Sequence, residues 1–382
     1  CLWAVLPRMS KAGAGRGPTG KVFVLYTGGT MGMKPGNEAG GGDALRPVAG
    51  YLTKQLTLMP ELQAKHMPEY DVKEYDPVID SSEMEPTDWA NIAEDISSNY
   101  YEYDGFVVIM GTDTMAYCAS ALSFMMENLG KPVVLTGSMI PFAVVYNDAR
   151  RNLIVSLLIA SNFDIPEVCI FFNNKLLRGN RSCKLNSMSL DAFDSPNYPP
   201  LATLGVGLKL GNADILQHPK GRLRVHTYMD SKIMVLRLVP GIQAQAIRSL
   251  ISGGGDQPLK ALVIELFGNG NSPSRRGEFM DALKAAIDAG ILVVACSQCP
   301  SGRVMLNKYA IARRLQSIGV LSAHDCTVEA ATTKLMYLFG RGVTRDEAAF
   351  YMNQSLRGEM TMGQYYDDII TSPDTVLLGS KL

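Results

Sequence analysis

The sequence predicts an α/β protein of two domains, each with a mainly parallel sheet flanked by helices. Three observations support this fold class: the chain has 382 residues, amphipathic segments separate its short apolar runs, and one Pro- and Gly-rich stretch interrupts that alternation. Strands that alternate with helices are typical of parallel sheets covered on both faces. A chain of this length more often forms two domains than one.

The apolar runs predict strands, and the segments between them predict helices. Strands are predicted over residues 21–26, 105–110, 132–136, 167–172, 232–239, 261–266 and 291–295, where short runs are apolar and rich in β-branched residues. Helices are predicted over 88–98, 115–129, 148–161 and 277–289 from amphipathic patterns. Thr344 and Glu347 have the spacing of a capping box, which predicts the start of the last helix.

Residues 194–230 are rich in Pro, Gly and polar residues, which is typical of a domain boundary. The predicted organisation is a flexible N-terminal tail, an N-terminal α/β catalytic domain, a linker, a C-terminal α/β domain and a C-terminal tail. These segments cover residues 1–20, 21–205, 206–230, 231–360 and 361–382.

Composition argues against several classes of partner. Hydrophobic residues make up 47% of the chain and the formal net charge is -1, so we expect a packed core and neither a nucleic-acid nor a membrane partner. The seven cysteines are odd in number and mostly lie in apolar runs, which predicts reduced thiols in a reducing compartment. Cys296 and Cys299 have the spacing of a redox pair, a weak signal on its own. With no second such pair and no nearby histidine, we predict no metal and no cofactor.

The chain ends in Ser380-Lys381-Leu382, the tripeptide of peroxisomal import. The localisation expected from the sequence is therefore cytoplasmic, with peroxisomal-type import.

Hydroxyl groups follow three of the predicted strands. The first strand runs into YTGGTMG (26–32), another into GTDT (111–114), and the next into TGS (136–138). Because ligands of open α/β sheets bind at the carboxyl ends of the strands, we expect these side chains at one edge of the sheet.

Two common kinds of site fit this pattern poorly. Gly28, Gly29 and Gly32 do not have the G-x-G-x-x-G spacing of a dinucleotide site, and no GKS or GKT sequence indicates a P-loop. Histidines occur at positions 66, 218, 226 and 324, and none lies at a strand end beside a candidate nucleophile. A Ser-His-Asp triad is therefore not expected.

A threonine nucleophile can instead use a lysine base, if burial or neighbouring charges lower the pKa of the lysine toward neutrality. Lys184, which follows the strand predicted over 167–172, supplies the amine, and Asp113 beside Thr112 would hold a substrate ammonium or orient that lysine. Each residue also has an ordinary alternative: Thr30 or Asp113 as a helix cap, and Lys184 as a surface lysine.

The motifs together resemble the L-asparaginases, and most closely the bacterial cytoplasmic, type I branch. The resemblance extends from residue 21 to about residue 359. It is carried by TGGT (27–30), GFVVIMGTDTMAY (105–117), LTGSMIP (135–141), DSSEM (80–84), FFNN (171–174), RGNR (178–181) and NQSLRGE (353–359).

This resemblance implies an asparaginase-like fold and an L-asparaginase that releases L-aspartate and ammonia through an acyl-enzyme. Thr30 would attack the side-chain amide of L-asparagine, and Thr112, Asp113 and Lys184 would form a second hydroxyl–carboxylate–amine set. The substrate's α-carboxylate and α-amino groups would bind to residues after a strand around 77–79, namely Asp80, Ser81 and Ser82, with Asp113 also taking the ammonium. Backbone N–H groups near Gly29 or after Thr112 would stabilise the oxyanion.

Two departures from the family pattern concern the lid and a regulatory site. The Gly-rich loop 33–47 has the composition of a lid, but Leu45 stands where family lids carry a tyrosine, and Tyr309 is the predicted catalytic substitute. Glu265 stands where type I relatives have an arginine of a regulatory asparagine site, whereas Cys299 matches that site. A reversed charge there argues against allosteric control by asparagine.

Family active sites lie where two subunits meet. The resemblance therefore implies a homodimer, or a homotetramer built from dimers, in which Asn271 reaches a neighbouring subunit's site. Two alternatives stay open: an enzyme that also uses glutamine, since one methylene discriminates weakly, and a non-catalytic amino-acid sensor on the same fold.

Overall fold

The computed structural model describes residues 20–35, 44–211, 213–252, 258–273 and 277–362, with the side chains of 250–252 left out. The strands of these residues are β1 (Lys21–Gly28), β2 (Met33–Pro35), β3 (Leu45–Pro47), β4 (Glu69–Ile79), β5 (Gly105–Ile109), β6 (Met126–Glu127), β7 (Val133–Thr136), β8 (Val168–Phe172), β9 (Lys175–Arg178), β10 (Cys183–Lys184), β11 (Phe193–Asp194), β12 (Ala202–Leu204), β13 (Leu208–Leu210), β14 (Arg224–Val225), β15 (Ile233–Arg237), β16 (Ala261–Leu266), β17 (Leu292–Ser297) and β18 (Leu321–Ser322).

Helices of the same residues separate most of the longer strands. They are α1 (Tyr51–Leu58), α2 (Pro86–Ser98), α3 (Met115–Met125), α4 (Ala149–Asn162), α5 (Ala244–Ser252), α6 (Glu278–Asp288), α7 (Ala310–Ser317), α8 (Val328–Gly340) and α9 (Arg345–Met352). Short 3-10 turns lie at Thr30–Gly32, Pro60–Gln63, Ser81–Glu83 and Gly179–Arg181.

The larger sheet has the strand order β13-β12-β9-β8-β7-β5-β1-β4. Neighbours from β4 to β8 pair in parallel, and β9, β12 and β13 extend one edge in antiparallel pairs. Strands β5 and β8 are buried along their whole length, as expected for a sheet with helices on both faces.

The second sheet is built from β15-β16-β17-β18, and all three neighbouring pairs are parallel. Helices flank both sheets, which confirms the predicted fold class. Throughout the residues described, no helix combines the length and apolar character that crossing a membrane requires.

Helix α3 and helix α8 pack against each other and connect the two sheets. Both helices are buried over almost their whole length, and one hydrophobic cluster includes β5 and β7 of the first sheet together with β16 and β17 of the second. Phe124 of α3 stacks on Tyr337 of α8 with 6.0 Å between the ring centroids. The N-terminal and C-terminal units therefore share part of their core.

The predicted elements are present, with changed ends. Helix α3 ends at Met125 rather than residue 129, because the chain turns into β6, which pairs with β14 in antiparallel fashion. Strand β4 runs over eleven residues, far more than the predicted 77–79, and its exposed side chains are mostly charged, namely Glu69, Asp71, Lys73 and Asp76. Helix α8 was not predicted, since a helix buried on all sides lacks a polar stripe. The capping box at Thr344 and Glu347 is confirmed.

The shared core predicts that a cavity under α3 destabilises both units. We expect Phe124→Ala to lower the free energy of unfolding by about 3–5 kcal/mol, because Phe124 is fully buried between α3 and α8. Hydrogen exchange read by mass spectrometry should show faster exchange of core amides in both sheets. Phe279→Ala is the matched control, because Phe279 belongs to a cluster confined to the C-terminal unit. Faster exchange in only one sheet of the Phe124 variant would contradict a shared core.

Candidate active site

The turn that carries Thr30 leaves β1 at the carboxyl edge of the larger sheet. Gly28 pairs with Ile79 at the end of β4, and Gly28 and Gly29 have φ angles of 137° and 87°. Positive φ at consecutive residues is a conformation that glycine adopts most readily. Thr30 then opens a short 3-10 turn, where its side chain is half-buried.

Three turns approach one another closely at this edge. A Cβ added to Gly29 would lie 2.2 Å from the backbone nitrogen of Gly111, and one added to Gly111 would lie 2.5 Å from Ser81 Oγ. The turns after β1, β4 and β5 therefore touch backbone to backbone or backbone to hydroxyl. This contact brings the segments of Thr30, Ser81 and Thr112 together.

Lys184 reaches this edge from β10. Its Nζ lies 2.8 Å from Thr112 Oγ1 and 2.5 Å from Asp113 Oδ1. Thr112 is buried, the Lys184 side chain is 15% exposed, and the Asp113 side chain is 67% exposed. The amine is thus sheltered while the carboxylate is accessible. In its neutral form this amine would accept the proton of the Thr112 hydroxyl.

The predicted substrate-binding residues lie on the neighbouring 3-10 turn Ser81–Glu83. The Asp80 carboxylate caps this turn and accepts hydrogen bonds from the N–H and hydroxyl of Ser82, both at 2.9 Å. The carbonyl oxygen of Ser81 accepts a hydrogen bond of 2.7 Å from the hydroxyl of Thr114, two residues after Thr112. This turn is therefore tied directly to the segment of Thr112 and Asp113.

The Thr30 hydroxyl has no hydrogen bond to any other group within the described part of the chain. Beneath its turn lies the fully buried ring of Tyr26, and a Cβ on Gly32 would lie 1.8 Å from the Tyr26 hydroxyl. Burial raises the pKa of Tyr26 far above its ordinary value, which keeps this phenol neutral. The turn thus rests on an uncharged, buried side chain.

Asn271 and Tyr309 lie elsewhere, together in the C-terminal unit. Asn271 closes a tight turn by backbone hydrogen bonds to Phe267, and Tyr309 is the N-cap residue of α7 with 43% exposure. Across the described ranges, no hydrogen bond, ion pair or ring contact joins either residue to the Thr30 or Lys184 segments. A single chain therefore does not bring all of the predicted catalytic and substrate-binding residues together.

Leu45 begins β3, which pairs with β2 just after the Thr30 turn, and its side chain is 48% exposed. Residues 36–43 of the predicted lid, between these two strands, lie outside the described residues.

The residues of the redox and regulatory hypotheses lie at the ends of β16 and β17. Cys296 is buried, and burial raises its pKa well above that of a free thiol, whereas redox-active cysteines have lowered pKa values. The burial of Cys296 therefore does not favour the redox interpretation of Cys296 and Cys299. Glu265 does not face an open anion site, since it forms an ion pair of 3.2 Å with Arg237. Burial, and secondarily the charge of Glu265, raise the pKa of nearby Glu329.

Sequence reasoning missed two residues that hold the turn after β7. The Asp148 carboxylate accepts hydrogen bonds from the backbone N–H groups of Met139 and Ile140, at 2.9 and 3.0 Å. The Asn152 side-chain amide donates to the Gly137 carbonyl oxygen at 2.9 Å. The position of Asn152 next to the apolar run 153–155 of the helical pattern 148–161 was the available signal, and the structure shows this asparagine fully buried.

Comparisons with known proteins agree with this geometry. Residues 21–215 match the family model "Asparaginase, N-terminal", and residues 232–352 match "Glutaminase/Asparaginase C-terminal domain". The chain is 45% identical to L-asparaginase 1 of Escherichia coli over 89% of its own length and 98% of that protein.

Two solved structures have the same fold. L-asparaginase I from Vibrio cholerae is 44% identical, with a TM-score of 0.80 over 90% of this chain and 99% of that chain. The thermostable L-asparaginase from Thermococcus kodakarensis is 30% identical, with a TM-score of 0.80 over 90% of this chain and 100% of that chain.

The close approach of the turns predicts that Gly29 tolerates no side chain. We expect Gly29→Ala to lower the free energy of unfolding by about 3 kcal/mol or more, because strained backbone and a collision with Gly111 act together. Gly342→Ala is the matched control, since Gly342 also has positive φ but nothing lies within 4 Å of its added Cβ. We expect that control to cost about 1 kcal/mol in urea unfolding. Equal costs for the two variants would show that the contact with Gly111 does not matter.

Proposed function

The chain belongs to the asparaginase family and is an L-asparaginase, and we propose that Thr30 is its nucleophile. An L-asparaginase is an amidohydrolase that acts on a linear amide. The observation that carries the proposal is the 2.8 Å contact between Lys184 Nζ and Thr112 Oγ1, beside the turn of Thr30. It supports an amine, rather than an imidazole, as the proton acceptor.

In the first half-reaction, Thr30 Oγ bonds to the side-chain carbonyl carbon of L-asparagine and loses its proton. The tetrahedral intermediate carries an oxyanion, which backbone N–H groups near Gly29 or after Thr112 would stabilise. The carbon–nitrogen bond then breaks, the nitrogen takes up a proton and leaves as ammonia, and a β-aspartyl ester remains on Thr30.

In the second half-reaction, water attacks this ester. Lys184, acting through the Thr112 hydroxyl, would accept the proton of the water, and Asp113 would stabilise the ammonium that forms. The ester bond breaks, Thr30 Oγ regains a proton, and L-aspartate is released. No metal or cofactor takes part in this scheme.

Recognition of the substrate zwitterion is assigned to the turn after β4 and to Asp113. Ser81 and Ser82 offer donors for the α-carboxylate, while Asp80 and Asp113 offer carboxylates for the α-ammonium. Because Asp80 is bonded to Ser82 and Asp113 to Lys184, these groups are already oriented. Amides that lack either charged group should be rejected strongly, since the polar groups that bind it would be left without a partner in the complex.

Nothing in the geometry or the similarities favours a glutamine-preferring enzyme or an amino-acid sensor over this function. The sensor hypothesis rests on Leu45 in the place of a lid tyrosine and on Glu265 in the place of an arginine. Against it, Thr30, Thr112, Asp113 and Lys184 are all present, and the last three are in contact.

We also propose that the active enzyme is a homodimer or a homotetramer built from dimers. The support is the position of Asn271 and Tyr309 in the C-terminal unit, apart from the Thr30 segment of the same chain. A neighbouring subunit would then supply Asn271 to each site.

A cytoplasmic location is proposed from the resemblance to the type I branch. The tripeptide Ser380–Leu382 lies outside the described residues, so peroxisomal import stays a prediction of the sequence alone.

Replacing the nucleophile should abolish turnover without unfolding the protein. We expect Thr30→Ala to lower kcat for ammonia release from L-asparagine by about 10³-fold or more, and Lys184→Met to lower it similarly. A coupled ammonia assay with L-asparagine and L-glutamine measures both variants. Thr57→Ala is the control, because Thr57 lies on α1 and its hydroxyl bonds only the Lys54 carbonyl oxygen. Wild-type turnover by Thr30→Ala would rule out the acyl-enzyme on Thr30.

A site shared between subunits predicts complementation. Asn271→Ala and Thr30→Ala should each be weakly active, but subunits of the two variants, unfolded together and refolded, should recover activity because some hybrid sites carry neither change. The same treatment of each variant alone is the control. No recovery from hybrids whose formation is verified by native mass spectrometry would show that Asn271 acts within its own chain.

A further inference from the structure

Three basic side chains follow one another at intervals of three residues on the segment that leads to the active site. Arg178 ends β9, Arg181 ends the 3-10 turn, and Lys184 ends β10. Arg178 is buried in an ion pair with Glu167, with contacts of 2.6 and 2.9 Å. Arg181 is also buried, and only Lys184 extends to the reacting groups.

Arg181 is held by a bidentate ion pair to Asp325. The two terminal nitrogens lie 3.1 and 2.8 Å from Asp325 Oδ1 and Oδ2, and the Arg181 side chain is 1% exposed. The same nitrogens donate to the carbonyl oxygens of Glu359 and Asn197 at 2.8 and 2.7 Å, and to the Thr361 hydroxyl at 3.2 Å. A planar guanidinium with this many acceptors has a single orientation.

Asp325 belongs to the C-terminal unit, three residues before α8. Its carboxylate also accepts hydrogen bonds from the N–H and hydroxyl of Thr361, at 2.9 and 2.6 Å. Burial alone would raise the pKa of Asp325, but the hydrogen bonds and charge of Arg181, with those of Thr361, outweigh it and lower the pKa. Asp325 is therefore an ionised group fixed on both sides.

The segment of Lys184 has some support besides Arg181. Among the described residues, β10 pairs with the two-residue β11, where Lys184 lies opposite the buried Phe193, and the Ser182 hydroxyl donates to the Arg178 carbonyl oxygen at 2.7 Å. A two-stranded ribbon of this length is marginally stable, so we do not expect it to fix a flexible lysine at one position by itself. Because Arg181 lies only three residues before Lys184, an immobile Arg181 limits where the Lys184 backbone can be.

We propose that Asp325 is a positioning residue for Lys184, acting through Arg181 to hold the amine against Thr112. The proposal rests on the proposed function, in which Lys184 is the proton acceptor. The C-terminal unit then contributes to catalysis within its own chain without touching the substrate. A displacement of about 1 Å in a catalytic group is enough to lower a rate about 100-fold.

A charge-neutral variant separates positioning from general stability. In the full-length protein, we expect Asp325→Asn to lower kcat for L-asparagine by about 10-fold or more, with KM changed less than about threefold, because binding residues stay in place. Asp230→Asn is the matched control: Asp230, the last residue of the predicted linker, is also buried and pairs with Lys260 at 2.7 Å, but within the described ranges no hydrogen bond or ion pair joins it to the segments of Thr30, Thr112 or Lys184. The thermal midpoint of Asp230→Asn should fall by about as much as that of Asp325→Asn, while the kcat of Asp230→Asn stays at the wild-type value.

If Asp325→Asn does not fold, a milder variant tests the positioning role of Asp325. Thr361→Val removes one donor to Asp325 and one acceptor of Arg181 while keeping the side-chain shape. We expect kcat to fall about threefold or more at unchanged KM. A wild-type kcat in a folded Asp325 or Thr361 variant, or equal losses of kcat in Asp325→Asn and Asp230→Asn, would overturn the proposal.

The failure of this inference differs from the failure of the proposed function. Lys184→Met, measured in the same series, reports on the function alone. If Lys184→Met is inactive and Asp325→Asn is fully active, only the positioning role is wrong. If Lys184→Met is fully active, the proton acceptor itself is wrongly assigned.

Discussion

The site depends on one steric constraint, the contact between the turns after β1 and β5. A Cβ on Gly29 would collide with the backbone of Gly111, and a Cβ on Gly111 would collide with Ser81. The glycine pair of the TGGT motif is therefore required by packing between strand ends. Because three strand ends converge, the segments of Thr30 and Thr112 and the turn after β4 meet at one edge of the sheet without any long loop to position them.

Buried ion pairs of the C-terminal unit support the Lys184 segment of the same site. Lys334 and Glu359 form a fully buried ion pair of 2.6 Å, and the Glu359 carbonyl oxygen accepts a hydrogen bond from Arg181. Burying ions is unfavourable unless each finds partners, and removing one partner of such a pair costs about 3–5 kcal/mol. These pairs connect α8 and the segment after α9 to the Lys184 segment. The apolar contact between α3 and α8 also joins the two units, but apolar packing is not directional and does not orient a single side chain.

Local sequence patterns predicted the fold and the residues at the strand ends, because apolar runs and Gly-Thr turns are short-range signals. Lys184 was predictable as well, since it follows a predicted strand. The partners of Arg181 were not predictable from the sequence, because Asp325 lies 144 residues away from Arg181 and no periodicity links the two residues. The length of strand β4 was underestimated because its exposed charged residues interrupt the apolar pattern from which strands are predicted. Met126 and Glu127 continue a helical pattern, yet tertiary pairing with β14 ends the helix before them.

The structure couples two predictions that the sequence left independent. Asn271 and Tyr309 were assigned separately, one from a subunit contact and one from a missing lid tyrosine. A Cβ added to Gly270 would lie 3.7 Å from the Cβ of Ala312 in α7, whose N-cap residue is Tyr309. The two residues thus lie on adjoining elements of the C-terminal unit. If subunit assembly brings Asn271 to a neighbour's site, it carries Tyr309 toward that same neighbour, so a tyrosine that serves Thr30 would come from the chain that supplies Asn271.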